Sequence, residues 1–356
     1  MTNLNLTYIV SSFAVSSLIS LFITPLMILI ARKYNVVDKP NHRKMHKEAT
    51  PLLGGLAIYI AFVVTVAIFA YNRINLVKIA VILGATLIEI LAVIDDIKNL
   101  SARLRMLIIL FLATCIYITF YYSYFTWNIL HDNWWMKILL GAVVILWVSG
   151  IVNAINFTDG IDGLSSYFSL IALFAFSIIL AMQNRYEFAI IVNIAIIGGV
   201  IGFIPYNRHK ALIFMGDAGS MLLGYVIGLI SLVSTTKADT ILYVVVPVYI
   251  LLLPLMELVT SVIRRIILRK PIFVADKYHF HHLLSAKIND SLIVVVLLAL
   301  IQVVLAFTGV MIYIYSAYIP GIIALFIIVV TTLVLLCIKY HKLKKEQNEK
   351  INQQEA

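Results

Sequence analysis

Charge is the first thing this chain has little of. Asp, Glu, Lys and Arg together make up 12% of its 356 residues, and hydrophobic residues make up 62%. A soluble domain carries about 25% charged and about 45–50% apolar residues. That gap excludes a soluble enzyme, a disordered chain and a nucleic-acid-binding domain. Cysteine is also scarce: Cys115 and Cys337 are the only two, neither in a CxxC pair. A disulfide scaffold is thereby excluded. No GxGxxG and no GxxxxGK[ST] occurs, so the dinucleotide and P-loop fingerprints are absent. There is no internal repeat, and no Lys or Arg precedes the first apolar run, where a cleavable signal peptide would carry its positive charge.

What is present is long apolar runs. A bilayer core about 30 Å thick needs roughly 20 apolar residues per helix, so 62% of the chain supplies material for about eleven spans. The runs lie at 8–31, 53–70, 77–94, 104–122, 136–153, 163–182, 187–205, 213–234, 240–268, 291–314 and 319–338. The expectation is an all-α, polytopic, multi-pass membrane protein. One transmembrane domain covers 1–338, and a polar tail covers 339–356. Pro247 and Pro254 predict a kink or break inside 240–268, with the second half projecting toward the cytoplasm.

The net charge of +10 is unevenly distributed. Most Lys and Arg fall after the first, third, seventh and ninth runs and in the tail, among them Arg43, Lys44, Arg105 and Arg265. The asymmetry places those loops and the C-terminus in the cytoplasm and the N-terminus outside.

The 17 acidic residues carry more chemistry. Most of those outside the tail gather at the same cytoplasmic edges, where positive-inside bias does not explain them. Asp95-Asp96 closes the third run in AVIDDIKNL. Adjacent carboxylates repel unless a cation sits by them, and a hard ion such as Mg²⁺ prefers oxygen ligands. The bland alternative is a solvated helix end, although acids there oppose the helix dipole. In NAINFTDGIDGLSS, Asn153 and Asn156 are three apart, as are Asp159 and Asp162, so each pair can share a helical face. Asx-turn and cap chemistry is the alternative there. FMGDAGS sets Asp217 between Gly216 and Gly219, with Phe214 able to stack on a base or simply to pack. ADKYHFHHLL holds His279, His281 and His282 downstream of Arg265, a set suited to phosphate through charge-assisted hydrogen bonds. Carboxylates for a metal, bases for phosphate and a surrounding membrane together imply lipid-linked phosphoryl transfer. The rivals are a transporter or flippase, for which Glu89 and Glu257 are the only intramembrane acids, and a non-catalytic scaffold.

Across roughly 35–285 these motifs resemble the polyprenyl-phosphate N-acetylhexosamine-1-phosphate transferases. The resemblance rests on VDKPNHRKMHKEATPLLGG, Asp95-Asp96, NAINFTDGIDGL, FMGDAGS and HFHH. It implies an enzyme at the cytoplasmic face of the bacterial cytoplasmic membrane. That enzyme moves GlcNAc-1-phosphate from UDP-GlcNAc to undecaprenyl phosphate and releases UMP, with Mg²⁺ or Mn²⁺ as cofactor. The H-x-H-H spacing and the expected helix count favour the UDP-GlcNAc branch, as at the start of wall teichoic acid synthesis, over phospho-N-acetylmuramoyl-pentapeptide transfer. The resemblance further implies that Asp95, Asp96 and Asp217 hold the metal, and that Asp95 or Asp38 orients or deprotonates the acceptor. Asn153, Asn156, Asp159 and Asp162 would shape the nucleotide pocket, with Phe214 on uracil. Arg265, His279, His281 and His282 would grip diphosphate or sugar. Arg43 and Lys44 would hold the lipid phosphate. Both monomer and homodimer are compatible with the sequence. One departure concerns the aspartate-rich DDxxD motif, whose fifth position is here Asn99.

Overall fold

The computed structural model describes residues 6–38, 49–70, 75–124, 134–183, 187–235, 244–269, 271, 281, 284–285, 288 and 290–332. Helix α1 runs Leu6–Lys33 and is followed by a two-stranded antiparallel ribbon, β1 (Val37–Asp38) and β2 (Thr50–Pro51), with Asp38 opposite Thr50. Then come α2 (Gly54–Phe69), α3 (Leu76–Lys98), α4 (Ala102–Tyr124), α5 (Trp134–Thr158) and α6 (Leu164–Gln183). They are followed by α7 (Glu187–Asn207), α8 (Gly216–Thr235), α9 (Val245–Ile250) and α10 (Leu252–Ile267). Helices α11 (Ser291–Tyr315) and α12 (Tyr318–Thr332) end the described chain. The expected all-α class holds apart from the ribbon.

Eight of the helices are long and apolar enough to cross a membrane: α1, α3 to α8, and α11. Those eight are counted among the described residues, and they bear out a polytopic helical membrane protein. The run at 53–70 yields only the 16 residues of α2, about 24 Å at 1.5 Å per residue. The run at 240–268 is divided at Leu251 into α9 and α10, and Pro247 and Pro254 each lie in the first turn of their helix. There a missing N–H costs nothing, so the prolines start helices rather than kink one. Only Tyr318–Thr332 of the last run is described as helix, and the polar tail lies outside the described residues.

Large apolar side chains stand outward along several helices, such as Phe22 on α1, Leu107 on α4, Leu146 on α5 and Phe307 on α11. A surface of that kind belongs against lipid. In lipid, apolar side chains gain little by facing another helix, and small residues take over the packing. Helix α1 shows this. Ser12, Ser16, Ser20 and Thr24 recur every four residues on its buried face, and Ser16 Oγ donates to Ala195 O of α7 at 2.5 Å. Helix α8 is the hub: 89% of its apolar stretch is buried, and it packs on α2, α3, α5, α6, α7 and α9. A Cβ at Gly55 of α2 would strike the backbone of Gly219 on α8, so these two helices touch at backbone distance.

The α5–α8 contact gives a graded test. A Cβ at Gly224 would lie 2.6 Å from Val152 Cα, whereas one at Gly228 would meet Val148 at an ordinary 3.6 Å. Gly224→Ala should lower the thermal melting midpoint in detergent, with a cost of about 1–3 kcal/mol from overpacking. Gly228→Ala should leave it unchanged. Equal midpoints for the two variants would contradict this helix contact.

Candidate active site

Helix α3 ends in a left-handed turn. Asn99 has φ 50° and donates its N–H to Asp95 O at 2.7 Å, closing the helix as asparagine readily does. At the position where an aspartate ligand was in question, the residue is therefore a helix cap. The turn also fixes Asp95, whose Oδ1 accepts the Leu100 N–H at 2.6 Å. Its other oxygen, Oδ2, faces Arg105 on the first turn of α4, with Nη1 donating at 2.5 Å.

Asp96 points the other way. Its two oxygens accept the backbone N–H groups of Asp217 and Ala218, at 2.9 and 3.1 Å. Those are unsatisfied donors in the first turn of α8, at the positive end of its dipole. The acids that seemed to oppose the α3 dipole thus serve the N-terminus of a second helix. Gly216, at φ +72°, makes the turn into α8, and a Cβ there would lie 2.6 Å from Asp96 Oδ2. Only glycine satisfies both constraints.

Asp217 completes the junction. Its Oδ2 accepts from the same Arg105 Nη1 at 2.8 Å, and its Oδ1 accepts from Asn156 Nδ2 at 2.6 Å. Asn156 Nδ2 also reaches Ser220 Oγ at 2.9 Å, one turn along α8. The ribbon is drawn to the same place: Phe214 N–H donates to Pro51 O at 2.8 Å, while Gly54 and Gly55 donate to Phe214 O and Met215 O. Asp38 lies on this ribbon, and Phe214 is half-buried at the docking point.

The loop between α5 and α6 adds two acids. Asp162 Oδ2 accepts the Ala211 N–H at 3.1 Å and ties that loop to the segment before α8. Asp159 is half-buried, and burial together with the charges of Asp217 and Asp162 pushes its carboxyl up to about 7. Asn153 Nδ2 donates to Ser149 O at 2.8 Å, one turn back on its own helix.

A basic half lies on α10. Its buried face carries Glu257, Ser261, Arg264 and Arg265. The Arg265 guanidinium sits 5.6 Å above the Phe157 ring, next to Asn156. His281 is buried, with Nδ1 3.0 Å from Glu257 Oε1 and its backbone N–H donating to that oxygen at 3.1 Å. Of the two acids that a transport path would need, Glu257 therefore holds His281. Glu89 is buried on α3 with neither carboxyl oxygen hydrogen-bonded. Arg43, Lys44, His279 and His282 lie outside the described residues.

Whether the site suits a divalent ion can be judged from its donors. Among the described residues no group of three His, Cys, Asp or Glu converges as a metal cage. Asp96 spends both oxygens on backbone N–H groups. Asp95 Oδ2 and Asp217 Oδ2, however, converge on one cationic nitrogen. Two carboxylate oxygens that already share one cation fit Mg²⁺, which is commonly held by one or two carboxylates together with substrate phosphates. Arg105 was legible in the sequence only as a cytoplasmic loop charge. Its place four residues into the helix after the Asn99 turn was the available signal.

Residues 78–235 match the model of glycosyl transferase family 4. Among similar proteins is one of Bacillus subtilis (strain 168) named "Probable undecaprenyl-phosphate N-acetylglucosaminyl 1-phosphate transferase", 37% identical over 78% of this chain and 77% of that protein. The Escherichia coli (strain K12) protein named "Undecaprenyl-phosphate alpha-N-acetylglucosaminyl 1-phosphate transferase" is 30% identical over 86% of this chain and 85% of its own. A Listeria welshimeri protein named "Phospho-N-acetylmuramoyl-pentapeptide-transferase" is 32% identical over 64% of this chain and 76% of its own.

The Asp159 carboxyl gives a pH test. Its folded-state value, about 7, lies above the ordinary 3.8, so between those values the folded state keeps a proton that the unfolded chain releases. That contribution to stability is full below the lower value and is lost as pH rises through the upper one. The melting midpoint of metal-free protein should fall across this window, and Asp159→Asn should flatten the fall. An unaltered profile in the variant would mean that Asp159 titrates as an ordinary carboxyl.

Proposed function

The chain belongs to glycosyl transferase family 4, and we propose that it moves GlcNAc-1-phosphate from UDP-GlcNAc to undecaprenyl phosphate, releasing UMP. The observation that carries this reading is the convergence of Asp95 and Asp217 on one cation at the end of membrane-spanning helices. The phosphate acceptor of such a reaction is anchored in lipid while its donor is a soluble nucleotide, so the chemistry must occur at a membrane edge. The carboxylates lie at the ends of α3 and α8, where both can arrive. The orientation with this edge toward the cytoplasm and the N-terminus outside rests on the Lys and Arg distribution.

In this reading Asp95 and Asp217 hold a Mg²⁺ or Mn²⁺ ion. When bound, that ion supplies positive charge against the donor phosphates and the departing UMP. The chain's own groups do the positioning. Asn156 fixes the Asp217 carboxylate from one side, and Asp96 fixes its backbone from below. Arg265 and His281 face the anionic donor, their placement set by Phe157 and Glu257. Phe214 stacks on the uracil, with Asp159 and Asp162 shaping the loop beside it. His279 and His282 extend the phosphate grip, Arg43 and Lys44 hold the lipid phosphate, and Asp38 orients it. The acceptor is already an anion, so no strong base is needed. The lipid-linked product suits the first step of a cell-envelope glycopolymer such as wall teichoic acid.

The test is UMP release by purified protein with undecaprenyl phosphate, Mg²⁺ and one of two donors. Release is expected with UDP-GlcNAc, and chelation should abolish it. Asp217→Asn should lower turnover at least about a hundredfold, since even outer-shell changes at metal sites cost 10–100-fold. Release with UDP-N-acetylmuramoyl-pentapeptide alone would move the protein to the peptidoglycan branch. No release with either donor, from folded protein, would overturn the transferase reading.

A further inference from the structure

The cation now between Asp95 and Asp217 belongs to the protein. Arg105 Nη1 lies 2.5 Å from Asp95 Oδ2 and 2.8 Å from Asp217 Oδ2, so a single nitrogen serves both carboxylates. That is the position a divalent ion would share. The two cannot occupy it together, because like charges at bonding distance repel strongly in a half-buried site. The rest of the junction is fixed. Asp95 is held by the Leu100 N–H and is only 3% exposed, and Asp217, though 29% exposed, is a short side chain held by Asn156. Arg105 is the movable member: its side chain is 30% exposed, on the first turn of α4, at the end of a long flexible stem.

We propose that Arg105 is a built-in competitor for the divalent ion, holding the two carboxylates together until ion and diphosphate arrive as a pair. This inference rests on the transferase reading of the site. The metal alone must displace a guanidinium that has no other bonded partner among the described acids. A nucleoside diphosphate changes that balance, because its oxygens offer the released guanidinium a new bidentate partner while also ligating the metal. Metal and diphosphate therefore bind with positive coupling, and by linkage each tightens the other by the same factor. The empty enzyme stays metal-poor, and the charged site assembles only around substrate.

The experiment measures Mn²⁺ binding by electron paramagnetic resonance on chelator-stripped, full-length protein in detergent, with and without UDP. Neither arm requires turnover. For the wild type, UDP should tighten Mn²⁺ binding by about tenfold, within the usual range of such couplings. Arg105→Gln should bind Mn²⁺ about tenfold tighter than wild type without UDP, and UDP should tighten it less than it tightens wild type, because only the direct ligation of metal by diphosphate remains. Arg103→Gln removes an exposed charge two residues away on the same helix and should match wild type. A melting series provides a second readout: Mn²⁺ alone should raise the midpoint of Arg105→Gln more than that of wild type. If Arg105→Gln cannot be purified metal-free, Arg105→Lys takes its place. It should show the same two changes at smaller size, because an ammonium lacks the planar fork.

Unchanged or weaker Mn²⁺ binding in the Arg105 variant would overturn the inference. So would equal tightening by Arg103→Gln, which would indicate a diffuse field rather than occupation of the site. Asp217→Asn separates the two levels of argument. If it binds Mn²⁺ as well as wild type does, the metal assignment under the proposed function is wrong. If it loses Mn²⁺ while Arg105→Gln matches wild type, only the competitor role is wrong.

Discussion

Everything at the candidate site hangs from one contact between helix ends, the Asp96 carboxylate on two N–H groups in the first turn of α8. Helix α8 is the most enclosed helix in the bundle, and its N-terminus would otherwise leave bare donors near an apolar interior. Asp96 satisfies two of them and complements the dipole. In the same step it fixes the rotation of the α8 first turn, which sets Asp217 opposite Asp95. Because Asp95 and Asp96 are consecutive, one helix terminus delivers both the cap and the partner carboxylate. Gly216 and Gly55 let the chain come close enough for this, the one through positive φ and the other through missing bulk.

How far this was readable from the sequence depends on the kind of feature. Apolar length is a local property, so the eight long helices, the break in 240–268 and the motif-bearing edges were all legible. Elsewhere the runs take other forms: 53–70 gives the 16 residues of α2, and 240–268 becomes two helices, each with a proline in its first turn. The β1–β2 ribbon was not legible, because strands of two residues leave no periodic trace.

Among the site residues, Asp95, Asp96, Asp217 and Asn156 were all marked by their residue type and setting, and they do meet. Their separate duties were hidden, because capping and ion pairing require knowing which helix ends face each other. Asn153 shows the converse. A spacing of three allows two side chains to share a face, but a side chain can satisfy itself on its own helix, and here it does. Arg105 was concealed for a further reason. One arginine in a basic cytoplasmic loop looks like any other until the turn at Asn99 folds α4 back along α3.

The charge plan follows from these placements and explains why two kinds of group had to be kept apart. Around the α3–α8 junction stand Asp95, Asp96, Asp159, Asp162 and Asp217, with Arg105 the cation bonded to Asp95 and Asp217. Such a surplus of half-buried negative charge is stable only with added positive charge, and it repels an anionic substrate that arrives alone. On the facing α10 side, Arg264, Arg265 and His281 are buried, and Glu257 is the acid set against His281. That side attracts phosphate. The aromatic ring of Phe157 joins the two, since it follows Asn156 in α5 and lies under Arg265. A diphosphate placed between them meets cationic groups from one helix and needs a cation on its other flank. In the proposed reading Asp95 and Asp217 of the acidic half receive that cation. Mixing the charges through one surface would have neutralised both halves internally, leaving neither a reason to bind metal nor a reason to bind phosphate. Placing them on different helices keeps the acidic and basic groups on opposite sides of Phe157.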